Sequence, residues 1–192
     1  MRTPLSTPIK SLLVALIITI PAIHYGQQMA SVRITVEGTS NIHDWTMQAD
    51  KASGNAAITL GPNNTLSNLG NLNFNMAAES LKSEHKAMDK NTYKAMNTDK
   101  YPTINFTAPS SNIKATGGSS FSVVAHGKLT ISGVSKNTDL TAACTVNADK
   151  SVTCTGAYKL KMSQFNVEPP SIMFGTITVG DDITVKYTVT YK

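Results

Sequence analysis

The sequence predicts an all-β fold with one helix, an antiparallel barrel of eight to ten strands. Three observations point there. From Phe121 to the end, apolar and polar residues alternate almost without a break. Only one stretch, Ser83 to Met96, changes to steps of three and four. Glycine, proline and asparagine clusters cut the rest into strand-sized pieces. A period of two gives each strand one dry and one wet face. With no second layer of helices to cover them, the dry faces must close on one another, in a barrel or a sandwich.

The elements follow in order. Val32, Ile34 and Val36 oppose Arg33, Thr35 and Glu37, with Gly38 marking a turn. A second strand over Asn41 to Gln48 carries Trp45, and a third runs from Gly54 to Leu60. Gly61-Pro62-Asn63-Asn64 reads as a loop. The fourth strand sets Leu72, Phe74, Met76 and Ala78 against Asn71, Asn73 and Asn75. Leu81, His85, Met88, Thr92, Ala95 and Met96 then form one helical stripe, with Ser83 at the N-cap position and Tyr101-Pro102 as the stop. This helix is expected over the barrel or beside its opening. Ile104 and Phe106 start another strand, and the polar, glycine-rich Ser110 to Ser120 reads as a loop. Strands follow around 121–132, 137–147 and 151–163. Two last strands are expected to meet at Gly180-Asp181-Asp182.

The start of the chain does not fit the barrel. Arg2 and Lys10 precede an apolar run, and Ser11 to Ile23 is too short for a bilayer core of about 30 Å. Residues 1–26 read as a signal peptide cut near Gly26, with an uncleaved anchor as the alternative. The barrel domain is then 27–192, and the expected location is periplasmic or secreted. Without Arg2 and Lys10 the 17 basic residues become 15, against 12 acidic ones, a net charge of +3. The densest basic cluster, Lys82, Lys86, Lys90 and Lys94, is interleaved with Glu84 and Asp89. That pattern excludes a nucleic-acid binder, which needs a localised basic stripe.

Lys128, Lys159, Lys161 and Lys186 fall mid-strand on the polar face, and aromatics make up 6% of the chain with no paired girdles. Both argue against a transmembrane barrel, whose apolar face meets lipid. Cys144 and Cys154 flank the turn signal Asn147 to Ser151. A hairpin centred on Asp149 places them opposite each other, within reach of a disulfide in an oxidising compartment. The alternative is two buried thiols acting as small apolar residues. His43, His85 and His126 have no ligand-like spacing, so no metal site is expected. No nucleophile motif is present, and no catalytic residue or cofactor is assigned.

Four blocks form a recognisable pattern: Ser40 to Trp45 (SNIHDW), Lys90 to Phe106 (KNTYKAMNTDKYPTINF), His126 to Leu140 (HGKLTISGVSKNTDL), and Met162 to Val179 with Phe165 and Gly175. Together they resemble the YceI-like family of bacterial polyisoprenoid-binding proteins, over about Ser31 to Lys192. The resemblance implies a lipocalin-like barrel whose apolar tunnel takes the tail of an isoprenoid lipid, such as a polyprenyl phosphate or a quinone, with the membrane as its donor. The chain has only two arginines, Arg2 and Arg33. A phosphate clamp of arginine forks is thus absent, which favours a neutral head such as a quinone ring.

The inward parity nominates Phe74, Phe106, Phe121, Leu129, Tyr158, Leu160 and Phe165 as tunnel wall or plain core. Met76 suits a wall that adapts to several tails. Trp45 is either core packing near one barrel end or a ligand contact. A homodimer is compatible with this reading. Two other functions stay open: a structural or stress-related periplasmic barrel filled by its own side chains, and a small metal-dependent hydrolase using the histidines. A continuous cavity longer than about 15 Å separates carrier from filled barrel.

Overall fold

A computed structural model describes residues 26–192; of the expected signal peptide, 1–26, residues 1–25 lie outside the described residues and Gly26 opens the first strand. The strands are β1 (Gly26–Ser40), β2 (Asp44–Ala49), β3 (Ser53–Leu60), β4 (Leu66–Ala77), β5 (Thr103–Gly117), β6 (Ser120–Ile131), β7 (Val134–Val146), β8 (Val152–Lys161), β9 (Ser171–Ile172) and β10 (Ile177–Tyr191). The helix α1 spans Lys86–Met96. Sheet order is β2-β1-β3-β4-β5-β6-β7-β8-β10-β9, all antiparallel, and β1 also pairs with β10. That pairing closes eight strands into a lipocalin-like barrel, with β2 and β9 as additions at one end. Closure removes the free edges that an open sheet would expose.

β1 serves three neighbours. Gly26 to Gln28 pair with β3, Ile34 to Thr39 pair with β2, and the length from Met29 to Ser40 pairs with β10. The alternation predicts the inside correctly. Phe121, Val123, Ala125 and Leu129 are buried along β6, and Cys144, Val152, Cys154 and Leu160 along β7 and β8. Lys128, Lys159, Lys161 and Lys186 are exposed on the outer face. Cys144 and Cys154 sit directly opposite each other across β7–β8 and form a disulfide.

Five expectations need correction, each for a physical reason. Gly38 is not a turn; it pairs with Trp45 inside the β1–β2 ladder. A Cβ there would come within 2.2 Å of the indole, so glycine is required for the close approach of the ring. The turn is Asn41-Ile42-His43, which delays β2 to Asp44. Ser83 does not cap the helix. Its amide and hydroxyl donate to the Asp89 carboxylate at 2.7 and 2.8 Å, and the N-cap residue is His85. The helix also stops before Tyr101-Pro102, at Asn97, which takes the left-handed conformation with φ 52°.

Ser110 to Gly117 is strand, not loop. It pairs with β6 from Ser110↔His126 to Gly117↔Ser120. Backbone pairing does not require an apolar side chain, and this stretch carries few, so the alternation rule is blind to it. Gly180-Asp181-Asp182 is no hairpin either. β10 runs straight through, and Gly38↔Ile183 followed by Ser40↔Val179 leaves two extra residues on β10, a bulge. A second bulge explains β4: Ala57↔Gly70 and Asn55↔Asn73 leave one extra residue, with Asn71 at φ 46°. Leu69 and Leu72, of opposite parity, therefore both face inward.

Candidate functional site

The barrel interior holds a cavity of about 470 Å³. That lies within the range of about 300–1,000 Å³ typical of small-molecule sites. Its wall is aliphatic and aromatic. β1 contributes Ile34 and Val36, β6 contributes Val123, Ala125, Leu129 and Ile131, and β10 contributes Ile183, Val185, Tyr187 and Val189. Among the described residues, no Lys, Arg, Asp or Glu lines it. From Ile183 to Val189 the lining covers six steps of about 3.4 Å, roughly 20 Å along the strand. With a strand tilt near 40° this gives a depth of about 16 Å along the barrel axis.

The two ends differ. At one, the lining stops short of Val32, Leu66, Phe121, Val146 and Val152, which are buried side chains packed into a floor. At the other, Ser40, Ile42, His43, Trp45, His85, Ala87, Asn91 and Thr92 line a mouth, and Ile42, His43, His85 and Ala87 are exposed. Apart from Tyr158, Tyr187 and Tyr191, the polar side chains of the lining are therefore gathered at this rim.

α1 lies across the mouth, held on several sides. Thr92 Oγ1 reaches Met47 Sδ at 3.4 Å, and the Met96 carbonyl accepts from Ser132 Oγ at 2.8 Å. The Tyr93 hydroxyl donates to the Leu81 carbonyl at 2.7 Å and accepts from Lys82 Nζ at 2.6 Å. Beneath the helix start, burial works against the Asp89 carboxylate. The two Ser83 donors outweigh it and hold the carboxyl below its usual range. Lys82, bonded to Tyr93, is held above the ordinary lysine range.

Of the nominated residues, Trp45, Phe74, Met76, Phe106, Leu129, Tyr158, Leu160 and Phe165 line the cavity. Phe121 does not; it is 3 % exposed and belongs to the floor. Trp45 stands at the rim, its ring against Gly38 and its Nε1 donating to the Thr39 carbonyl at 3.0 Å. Burial pushes the Tyr187 and Tyr191 hydroxyls up to about 12. Tyr187 donates to the Thr141 carbonyl at 2.9 Å. Sequence reading missed the helix residues Asn91 and Thr92 as rim groups, although the helical stripe already placed Thr92 beside Met88.

The histidines do not converge. His43 and His85 are on the rim, while His126 is on the outer wall between Asn112 and Asp139, 2.9 Å from each. Among the described residues, no group of three or more His, Cys, Asp or Glu side chains could hold a metal ion.

The cavity, its floor and its helical cover occupy a region that a single family model spans. Residues 24–191 match the YceI-like domain. The chain belongs to the YceI-like family. No curated protein sequence matches it. Among solved structures, the YceI-like chain is similar to a polyisoprenoid binding domain from Saccharophagus degradans implicated in plant cell wall breakdown, with a TM-score of 0.67 at 13% identity, covering 88% of this chain and 99% of that one. It is similar to Burkholderia cenocepacia BcnA, with a TM-score of 0.64 at 18% identity over 84% and 96% of the two chains. A YCEI protein from Campylobacter jejuni gives 0.53 at 19% identity, over 99% and 93%. At these identities the likeness is one of fold.

Proposed function

We propose that this YceI-like barrel is a non-enzymatic carrier that sequesters a long isoprenoid or similar amphiphilic lipid, tail inward, in the periplasm or outside the cell. The observation that carries this reading is the apolar cavity, about 16 Å deep, lined by no Lys, Arg, Asp or Glu among the described residues and, tyrosines apart, polar only at one rim. A polar solute would lose its water inside and regain no partner. An apolar tail loses nothing. The absence of any cation along the wall favours a neutral head, such as a quinone ring, resting near Ser40, His43, His85 and Asn91. The polyisoprenoid-binding neighbour supports the same ligand class.

Magnitudes decide what kind of carrier this is. Each buried CH₂ contributes about 0.8 kcal/mol against water. A tail of roughly 40 carbons would exceed the ceiling of about 20 kcal/mol for any complex. The lipid begins in a bilayer, which is equally apolar, so transfer is close to balanced. The protein acts as a reservoir or shuttle, with a membrane as the donor. The depth of the cavity argues against an interior filled solid by its own side chains.

The test is native mass spectrometry and organic extraction of protein freshly purified from a membrane-rich lysate. A reproducible isoprenoid lipid is expected. Preparations that carry none, and a Trp45 fluorescence that an added isoprenoid quinone does not change, would overturn the proposal.

A further inference from the structure

Among the described residues, the exposed large apolar side chains are Ile42, 57 % exposed, Met173, 67 %, and Phe174, 111 %. They are not scattered. Ile42 tops the β1–β2 turn, and Met173 and Phe174 form the tip between β9 and β10. The two loops are stitched together: Asn41 N donates to the Thr178 carbonyl at 3.0 Å, Asn41 Nδ2 to the Thr176 carbonyl at 2.9 Å, and Thr178 N to Asn41 Oδ1 at 3.0 Å. All three apolar residues therefore sit on one edge, beside the mouth. Ile42, Ile172 and Ile177 also line the cavity, so apolar surface reaches from the wall to this edge.

The tip is built to hold its side chains outward. Met173 and Phe174 both have positive φ, 52° and 54°, a conformation that bulky residues rarely adopt, and the Thr176 amide donates back to the Met173 carbonyl at 3.2 Å. A wholly exposed phenylalanine in a strained turn gives up burial that a relaxed loop could recover. From Pro170 to Thr178 the segment has no charged residue. The carboxylates nearest in sequence lie outside it: Asp44 beyond the β1–β2 turn, Glu168 before the prolines, Asp181 accepting from Ser163, and Asp182 paired with Lys161.

We infer that this edge, Ile42 with Met173 and Phe174, is a bilayer-docking surface that inserts into a lipid membrane and sets the cavity mouth against hydrocarbon. The inference rests on the carrier reading for its purpose, but not for its geometry. A tail that stays in the bilayer reaches the wall only if the mouth touches apolar surface. An uncharged apolar tip fits hydrocarbon better than it fits a protein partner, which would answer a polar rim. Insertion of such a tip reaches about 5–10 Å, to the boundary of headgroups and acyl chains.

The experiment uses the full chain and vesicles of phosphatidylethanolamine and phosphatidylglycerol in a flotation assay. Wild-type protein is expected to float at about 0.1 M and about 0.5 M salt alike, because insertion is apolar rather than coulombic. M173S/F174S should float at least tenfold less. Neither residue lines the cavity, so uptake of a water-soluble short-chain isoprenoid quinone, read by Trp45 fluorescence, should be unchanged. Equal flotation of variant and wild type overturns the inference. So does flotation lost at the higher salt, which would assign binding to Lys86, Lys90 and Lys94, or a change of oligomeric state in the variant with flotation intact. Wild-type protein that floats but takes up no quinone would refute the carrier reading and leave the docking surface standing.

Discussion

Replacing Leu129 with aspartate tests whether the barrel interior is as dry as its wall implies. Leu129 lines the cavity and is 8 % exposed, with no charged residue along the lining to answer a carboxylate. Loss of the leucine side chain costs about 2 kcal/mol of burial, and Leu129→Asn shares that loss. The introduced carboxyl adds a term of its own. In an apolar cavity its pKa should rise by about 3 units from its ordinary value near 3.9, to about 7. A folded-state pKa above the unfolded one means the folded form holds the proton more tightly. Stability is then full below about pH 4 and declines as pH rises through about 7, by about 4 kcal/mol in all.

The sum of about 6 kcal/mol is comparable to the whole stability of an ordinary domain, about 5–15 kcal/mol. Unfolding above neutrality with recovery on acidification is therefore within the expected range. The assay is urea unfolding of both variants at about pH 4.5 and about pH 8. At the lower pH they should nearly coincide. At the higher pH the aspartate variant should unfold about 2 M earlier, for a slope near 2 kcal/mol per M. Equal midpoints at the higher pH would mean that water solvates the carboxylate inside the barrel, and the argument from a dry wall would fail.

Other predictions rest on single contacts. Gly38→Ala forces the indole of Trp45, the only tryptophan, off its seat; stability should fall by about 1–3 kcal/mol with a red-shifted emission, and an unshifted spectrum would show that the ring does not depend on that close approach. C144A/C154A releases a crosslink between residues ten apart in sequence, and denaturant unfolding should show a loss of about 3 kcal/mol. Tyr191 is 3 % exposed, and its hydroxyl is raised from 10.0 to about 12 by burial. Its contribution is complete below pH 10 and disappears as pH climbs toward 12, about 3 kcal/mol, so Tyr191→Phe should flatten the alkaline limb of the stability profile measured by thermal melts. Phe121→Ala should lower stability by about 3–5 kcal/mol while quinone uptake persists, because Phe121 belongs to the floor and not the wall.

Much of this barrel was legible because its dry and wet faces obey one simple period. Phe121 to Leu129 and Ile183 to Val189 face where that period puts them. It holds on β4 from Asn71 onward, past the bulge that separates Leu69 from Leu72. It failed where backbone pairing continues without apolar side chains, as from Ser110 to Gly117. It failed again where glycine signals close contact and not a turn, as at Gly38. Strand parity told inside from outside, but not depth along the axis. Phe121 and Leu129 share one face of one strand, yet the first is floor and the second is wall. Nothing local distinguishes them, because that difference depends on which hairpins close which end.

A chamber with a floor has a single doorway. On the carrier proposal, whatever slides in must back out, so its water-loving terminus stays nearest the threshold. Exchange becomes one-at-a-time: the resident departs before a successor is admitted, and the pace is set by departure. A partner that modifies the head group could do so while the tail remains sheathed.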